Sequence, residues 1–249
     1  TPPPWGDRRA DTVPRTGWET SLPDTRDVGP VQQQENYPMA DQKTHDSRDQ
    51  YDAIVVGAGI AGLYQLHRLR ELGFKVKSFD AASNVAGTWY WNCYPGARVD
   101  SQSYVYQYWF SDELINEWNW SERFPAQPET ERYLNFVADK LDLRKDIQFN
   151  TRVTSSDWDD EKHVWVVRTD QGDEVRTKFL VSCTGMLSAP KVPPFPGHEK
   201  FKGQIAHTAR YPREGIDLAG TRVGVVGTGA TGLQVIQTIA GDEADLTES

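Results

Sequence analysis

The stretch DAIVVGAGIAGLYQLHRLRELGFKVKSFD, from Asp52 to Asp80, constrains the fold more than any other part of the chain. Ala53 to Val56 form a short apolar run of the kind buried in a parallel sheet, and Gly57-x-Gly59-x-x-Gly62 follows at once. Leu63, Leu66, Leu69 and Leu72 then recur at helical spacing up to Gly73, and Val76 to Phe79 predict a second strand ending on Asp80. Strand, glycine turn, helix, strand and acid in that order predict a dinucleotide-binding unit. Gly57 permits the tight turn, Gly59 lets a diphosphate approach the backbone, and Gly62 allows the helix to pack closely on the strand. The helix N-terminus offers free N–H groups and a favourable dipole to the diphosphate. Asp80 stands where a carboxylate accepts hydrogen bonds from a ribose 2′-hydroxyl, which favours a ribose without a 2′-phosphate, as in FAD or NAD.

A second such unit begins at TRVGVVGTGATGLQVIQTIAG. Val223 to Val226 predict a buried-type strand, and Gly227, Thr228, Gly229, Ala230, Thr231 and Gly232 form the turn into a helix carrying Leu233, Gln234, Ile236 and Ile239. Two turns imply two dinucleotides, one FAD and the other a nicotinamide cofactor. Between the units, residues 147–180 alternate polar and apolar, and DQGD supplies a hairpin turn. This predicts a small antiparallel meander that returns to the parallel sheet at FLVSCTG, with His163 a solvent-facing strand residue and Cys183 a buried one.

Composition narrows the partners. A formal charge of -9 argues against a nucleic acid or an anionic membrane surface as the main partner. Two cysteines, Cys93 and Cys183, lie far apart in no metal or redox spacing, which fits a reducing compartment. They also provide no closely spaced pair for a disulfide reductase. No apolar run of about 18 residues is present and no secretory signal opens the chain, so the expected compartment is the cytosol. The first 50 residues are rich in Pro, Gln, Asp and Arg; they predict a surface wrap anchored by Trp5, Trp18 and Tyr37.

The stretch AGTWYWNCYPGARVD, Ala86 to Asp100, mixes three consecutive aromatic residues with a Pro-Gly pair and predicts a loop shaped around a ligand. It meets the pattern A/G-G-x-W-x-x-x-x-F/Y-P-G/M-x-x-x-D at Ala86, Gly87, Trp89, Tyr94, Pro95, Gly96 and Asp100. A shorter pattern, F-x-G-x-x-x-H-x-x-x-W-P/D, is met by Phe201, Gly203, His207 and Pro212, with Tyr211 in place of the tryptophan. With the two glycine turns, these motifs make the chain resemble the class B flavoprotein monooxygenases, and the Baeyer–Villiger monooxygenases in particular, over residues 52–240.

The resemblance implies an α/β fold of two Rossmann-like units. Residues 1–50 would be an extension wrapping the body, 51–200 an FAD-binding domain with the β-meander, 201–220 a linker, and 221–249 the start of a truncated NADP-binding domain. Thr88, Trp89, Tyr90 and Trp91 match residues that lie against the flavin. Arg98, Val99 and Asp100 match residues between flavin and nicotinamide, and Ile60, Tyr106 and Val153 match places that touch FAD. His207 is expected in the linker, either coupling the two nucleotide domains or purely structural. The implied chemistry is reduction of FAD by NADPH, addition of O2, and attack of a C4a-peroxyflavin on a ketone to give an ester or lactone. Asp100 would position an arginine that lies downstream in relatives and beyond these residues. One βα unit cannot bury both faces of a parallel strand, so the chain is expected to be the N-terminal part of an enzyme about twice as long, completed by another polypeptide or by residues beyond a gap. Expressed alone, it is expected to aggregate or fail to retain FAD. Two alternatives stay open: an N- or S-oxygenating flavin monooxygenase, for which tyrosine at position 211 is typical, and a non-catalytic flavin-binding fragment.

Overall fold

Gly57, Asp80 and Cys183 leave the main sheet at one edge, because the register sets Val56 level with both Phe79 and Ser182. The computed structural model describes residues 50–191, 193–241 and 245–248, so the predicted wrap with its anchors Trp5, Trp18 and Tyr37 lies outside the described residues. In chain order the elements are β1 (Gln50–Val56), α1 (Ile60–Glu71), β2 (Val76–Phe79), α2 (Thr88–Trp91), α3 (Ser103–Tyr106), α4 (Asp112–Glu117), α5 (Gln127–Lys140), β3 (Ile147–Gln148), β4 (Val153–Asp159), β5 (Val164–Thr169), β6 (Glu174–Ser182), β7 (Arg222–Val225), α6 (Ala230–Ile239) and β8 (Asp245–Glu248).

The six-stranded sheet runs β3-β2-β1-β6-β5-β4. β1, β2, β3 and β6 are mutually parallel neighbours, whereas β4, β5 and β6 form the antiparallel meander. The chain thus turns outward in opposite directions on either side of β1, and such a switch point opens a crevice at the carboxyl ends of the strands. Successive residues of β1 face opposite sides. Ala53 and Val55 join the core made with Leu63 and Leu66 of α1 and Tyr133, Leu134 and Val137 of α5. Ile54 joins Phe79, Val167 and Val175 on the other side. Leu66 is 1% exposed, so truncating it to Ala would cost about 2–5 kcal/mol. Among the described residues no helix is long and apolar enough to cross a membrane.

Several expectations need correction. Ile147 and Gln148 do not belong to the meander: they pair in parallel with Ser78 and Phe79 of β2, since an alternating pattern cannot tell a short parallel edge strand from a hairpin arm. His163 is exposed but sits in the turn between β4 and β5, at φ 52°, and not in a strand. Cys183 follows the end of β6 and is half-buried. The aromatic stretch is no loop at Thr88–Trp91 but one turn of helix, α2. Ala86 (φ 96°) and Gly87 (φ 53°) reverse the chain there, and Trp91 N–H and Asn92 N–H close back onto the Gly87 and Thr88 carbonyls.

The second unit extends beyond the expected strand and helix. β8 pairs in parallel with β7 across α6, making a βαβ crossover. Ile239 is buried, while Leu233 is exposed; the expected buried-type strand at Val223 to Val226 is not met, since no residue of β7 is buried and Val226 lies past its end and is exposed.

Candidate functional site

The first glycine turn is built by close backbone approach. A Cβ on Gly57, at φ 107°, would fall 2.5 Å from the Cys183 carbonyl oxygen, and one on Gly62 would run into the Gly57 carbonyl. α1 therefore starts directly on the turn. Its N-cap, Gly59, supplies no side-chain hydrogen bond and its first turn holds no acid, so the leading N–H groups are unclaimed by any cap, as a diphosphate requires. Asp80 is 8% exposed; its Oδ2 accepts from Ala58 N–H at 2.5 Å and its Oδ1 from Ala82 N–H at 2.7 Å. Burial pushes this carboxyl above its ordinary pKa, while those two N–H groups and the charge of Arg152 pull the other way. Asp80 thus braces the glycine turn and has lone pairs left for a ribose hydroxyl.

The aromatic stretch is fastened to this turn. Gly59 and Gly87 pack backbone on backbone: a Cβ on Gly87 would lie 2.8 Å from the Gly59 Cα. Ala86 N–H donates to the Ala58 carbonyl at 3.2 Å. Trp89 packs toward the core and donates from Nε1 to the Tyr106 hydroxyl at 2.7 Å, with the rings edge-on at 5.9 Å. Burial, more than the charge of Asp100, holds the Tyr106 hydroxyl above its usual pKa. Tyr90 and Trp91 meet edge to face, and Thr88 accepts from Asn92 Nδ2. Val99 is buried, whereas Arg98 and Asp100 on either side of it are exposed. Arg98 pairs with Glu122 at 3.2 Å. Ile60 opens a shallow apolar hollow of about 580 Å³ with Ala61, Tyr64, Tyr108, Trp109 and Phe110. Val153 stands apart from this group, packed with Ile54 and Phe79 on the other side of the sheet.

The second turn repeats the first in more open surroundings. Gly227 has φ 119° and a Cβ on Gly232 would strike its carbonyl, but nothing lies within 4 Å of a Cβ on Gly227 or on Gly229. α6 also starts without a side-chain cap, after Thr228 and Gly229 and with Ala230, Thr231 and Gly232 in its first turn. Both turns therefore fit the diphosphate of a dinucleotide. They are joined at the Pro95–Gly96 turn, where Tyr94 reaches Gln234 and Thr231 of α6. In the linker Phe201 lies over Gly203, His207 accepts from Ala209 N–H and caps a single turn, and the Tyr211 carbonyl accepts from Cys93 Sγ at 3.4 Å ahead of Pro212. The two signature stretches are thus in contact. Burial pushes both cysteine thiols up, which disfavours a thiolate nucleophile.

Residues 51–246 match the family described as flavin-binding monooxygenase-like. The chain belongs to that family. Among flavin-binding monooxygenase-like proteins, it is 57% identical over 195 residues to an acetone monooxygenase (methyl acetate-forming) of Gordonia sp. (strain TY-5), covering 78% of this chain and 37% of that one. It is 49% identical over 195 residues to a phenazine N-monooxygenase of Lysobacter antibioticus, covering 78% of this chain and 35% of the relative. A solved steroid monooxygenase bound to NADP superposes with a TM-score of 0.77 at 55% identity, covering 80% of this chain and 38% of that one. The chain thus spans a little over a third of the length of these flavin-binding monooxygenase-like relatives.

Gln127 and Arg213 touch α2 and Glu131 holds both of them, three residues that the sequence does not reveal. None belongs to a motif; only the position of Arg213, directly after the signature Pro212, hints at it.

Proposed function

We propose that this chain supplies the FAD site and the beginning of the NADP site of a Baeyer–Villiger monooxygenase, which uses NADPH and O2 to convert a ketone to an ester or lactone. Residues 51–200 would form the FAD-binding domain, 201–220 the linker and 221–249 the start of the NADP-binding domain, with the remainder of the enzyme as their partner. The observation that carries this reading is the packing of Gly87 on Gly59, which ties the aromatic signature to the turn suited to a diphosphate.

Bound FAD, reduced by NADPH, supplies the activation of O2 and the transfer of one oxygen atom. The chain's own residues bind and shield. Gly57, Gly59 and Gly62 admit the diphosphate to the α1 amides, and Asp80 takes the ribose. Ile60, Thr88, Trp89, Tyr90, Trp91 and Tyr106 line the flavin and keep water from it, and Val153 touches FAD from a separate place. Gly227, Thr228, Gly229, Ala230, Thr231, Gly232 and Gln234 take the nicotinamide dinucleotide in the same manner. Arg98, Val99 and Asp100 lie between the two, and the exposed carboxylate of Asp100 is free to hold a guanidinium from the rest of the enzyme. A fixed guanidinium stays charged at working pH and stabilises the negative charge that develops on oxygen.

Tyr211 and the likeness to a phenazine N-monooxygenase favour a second reading, oxygenation of nitrogen or sulfur. Product analysis separates the two: a ketone gains one oxygen as an ester, whereas an amine or sulfide gives an oxide.

A further inference from the structure

α2 is too short to satisfy its own carbonyls. In a helix of four residues the last carbonyl groups have no partner within the helix, and here two of them are met from outside. The Trp89 carbonyl accepts from Gln127 Nε2, and the Tyr90 carbonyl accepts from Arg213 Nη1 at 2.6 Å. Both donors are aligned by one carboxylate. Glu131 accepts from Gln127 Nε2 at 2.9 Å and from Arg213 Nη2 at 2.8 and 2.9 Å. The guanidinium also lies over the Tyr90 ring, 4.7 Å from its centroid, and Arg210 lies over the Trp91 ring at 5.0 Å. Glu131 is only 13% exposed in its side chain, against 46% for Arg213, so the anchor is on α5 and the linker docks onto it.

We propose that Arg213 is a positioning residue that locks the linker onto the aromatic turn through Glu131, and thereby sets the second glycine turn relative to the first. It rests on the reading that the two turns hold FAD and NADP. A guanidinium is suited to this because two separate nitrogens of its planar fork serve the Tyr90 carbonyl and the Glu131 carboxylate, a spread that the single nitrogen of an ammonium matches less well. Arg213 would touch neither cofactor. Its removal should leave FAD in place and disturb how the nicotinamide dinucleotide is presented.

The test uses the full-length enzyme with Arg213→Ala, Arg213→Lys and Glu131→Gln. Flavin content, thermal midpoint, NADP+ affinity from the perturbation of flavin absorbance, and the share of NADPH oxidation released as hydrogen peroxide are measured. The proposal predicts unchanged flavin content, NADP+ binding weakened about tenfold in Arg213→Ala, as expected for one lost charge-assisted contact, and a raised peroxide share. Arg213→Lys should recover part of the loss and Glu131→Gln should reproduce it, which keeps the test decisive if Arg213→Ala does not fold. A lowered thermal midpoint with wild-type NADP+ affinity and peroxide share would overturn the proposal. A wild-type enzyme that shows no flavin response to NADP+ would instead overturn the reading beneath it.

Discussion

The Tyr94 hydroxyl donates to Gln234 Oε1 at 2.8 Å across 140 positions of sequence, and Gln234 Nε2 returns to the Arg98 carbonyl at 3.3 Å. This exchange joins the Pro-Gly turn of the signature to the helix after the second glycine turn. Tyr94→Phe keeps the ring and removes the bond, so it should lower stability by about 0.5–1.5 kcal/mol. Urea unfolding of the full-length enzyme checks this; an unchanged midpoint would mean that the bond contributes nothing.

Two glycines of this region should respond oppositely to the same substitution. A Cβ on Gly96, at φ 79°, would collide with the Gln234 carbonyl and Thr238 Oγ1, whereas one on Gly229 meets nothing within 4 Å. Gly96→Ala should therefore separate the turn from α6 and cost at least ~2 kcal/mol through steric strain. Gly229→Ala should leave the thermal midpoint alone and raise the KM for NADPH, because its Cβ occupies the diphosphate approach. Thermal melts and steady-state kinetics on the two variants distinguish the roles.

Ala86 is a non-glycine residue at φ 96° in a fully buried position. An L side chain is strained in that region, so Ala86→Gly should stabilise the fold by about 0.5–1 kcal/mol, the relief being partly offset by the greater freedom of glycine in the unfolded chain. A rise in the denaturation midpoint is the expected result.

Tyr133 is fully buried and accepts from Tyr108 N–H at 2.7 Å; burial pushes its hydroxyl up to about 12. The native state thus keeps a proton that the unfolded chain loses near pH 10. Stability should be flat in pH below 10 as far as this group is concerned and fall between pH 10 and 12, by up to ~1.4 kcal/mol per pH unit. Burial also raises the Tyr108 hydroxyl, so Tyr133→Phe should reduce the alkaline slope without abolishing it. Unfolding free energies measured across that range test the prediction.

Local physics made the first unit readable. The glycine spacing, the leucine period and the apolar run of Val76 to Phe79 each constrain their own segment, and α1 and β2 fall where those patterns put them. Where the deciding contact is distant, the local sequence carries no sign of it. Nothing near Thr88 announces that Gly59 will meet Gly87 and turn a supposed loop into helix. The Arg213 side chain finds Glu131 and Tyr90 from 82 and 123 positions away, which no periodicity can encode. Ile147 is extended either way, and only pairing with Ser78 decides its sheet position.

The most direct test of the central claim is product analysis of the full-length enzyme with NADPH, heavy-isotope O2 and a mixture of a simple ketone, an amine and a sulfide. The expected product is an ester or lactone carrying one labelled oxygen atom, formed in proportion to NADPH consumed. Labelled N-oxide or S-oxide with the ketone untouched would contradict that claim.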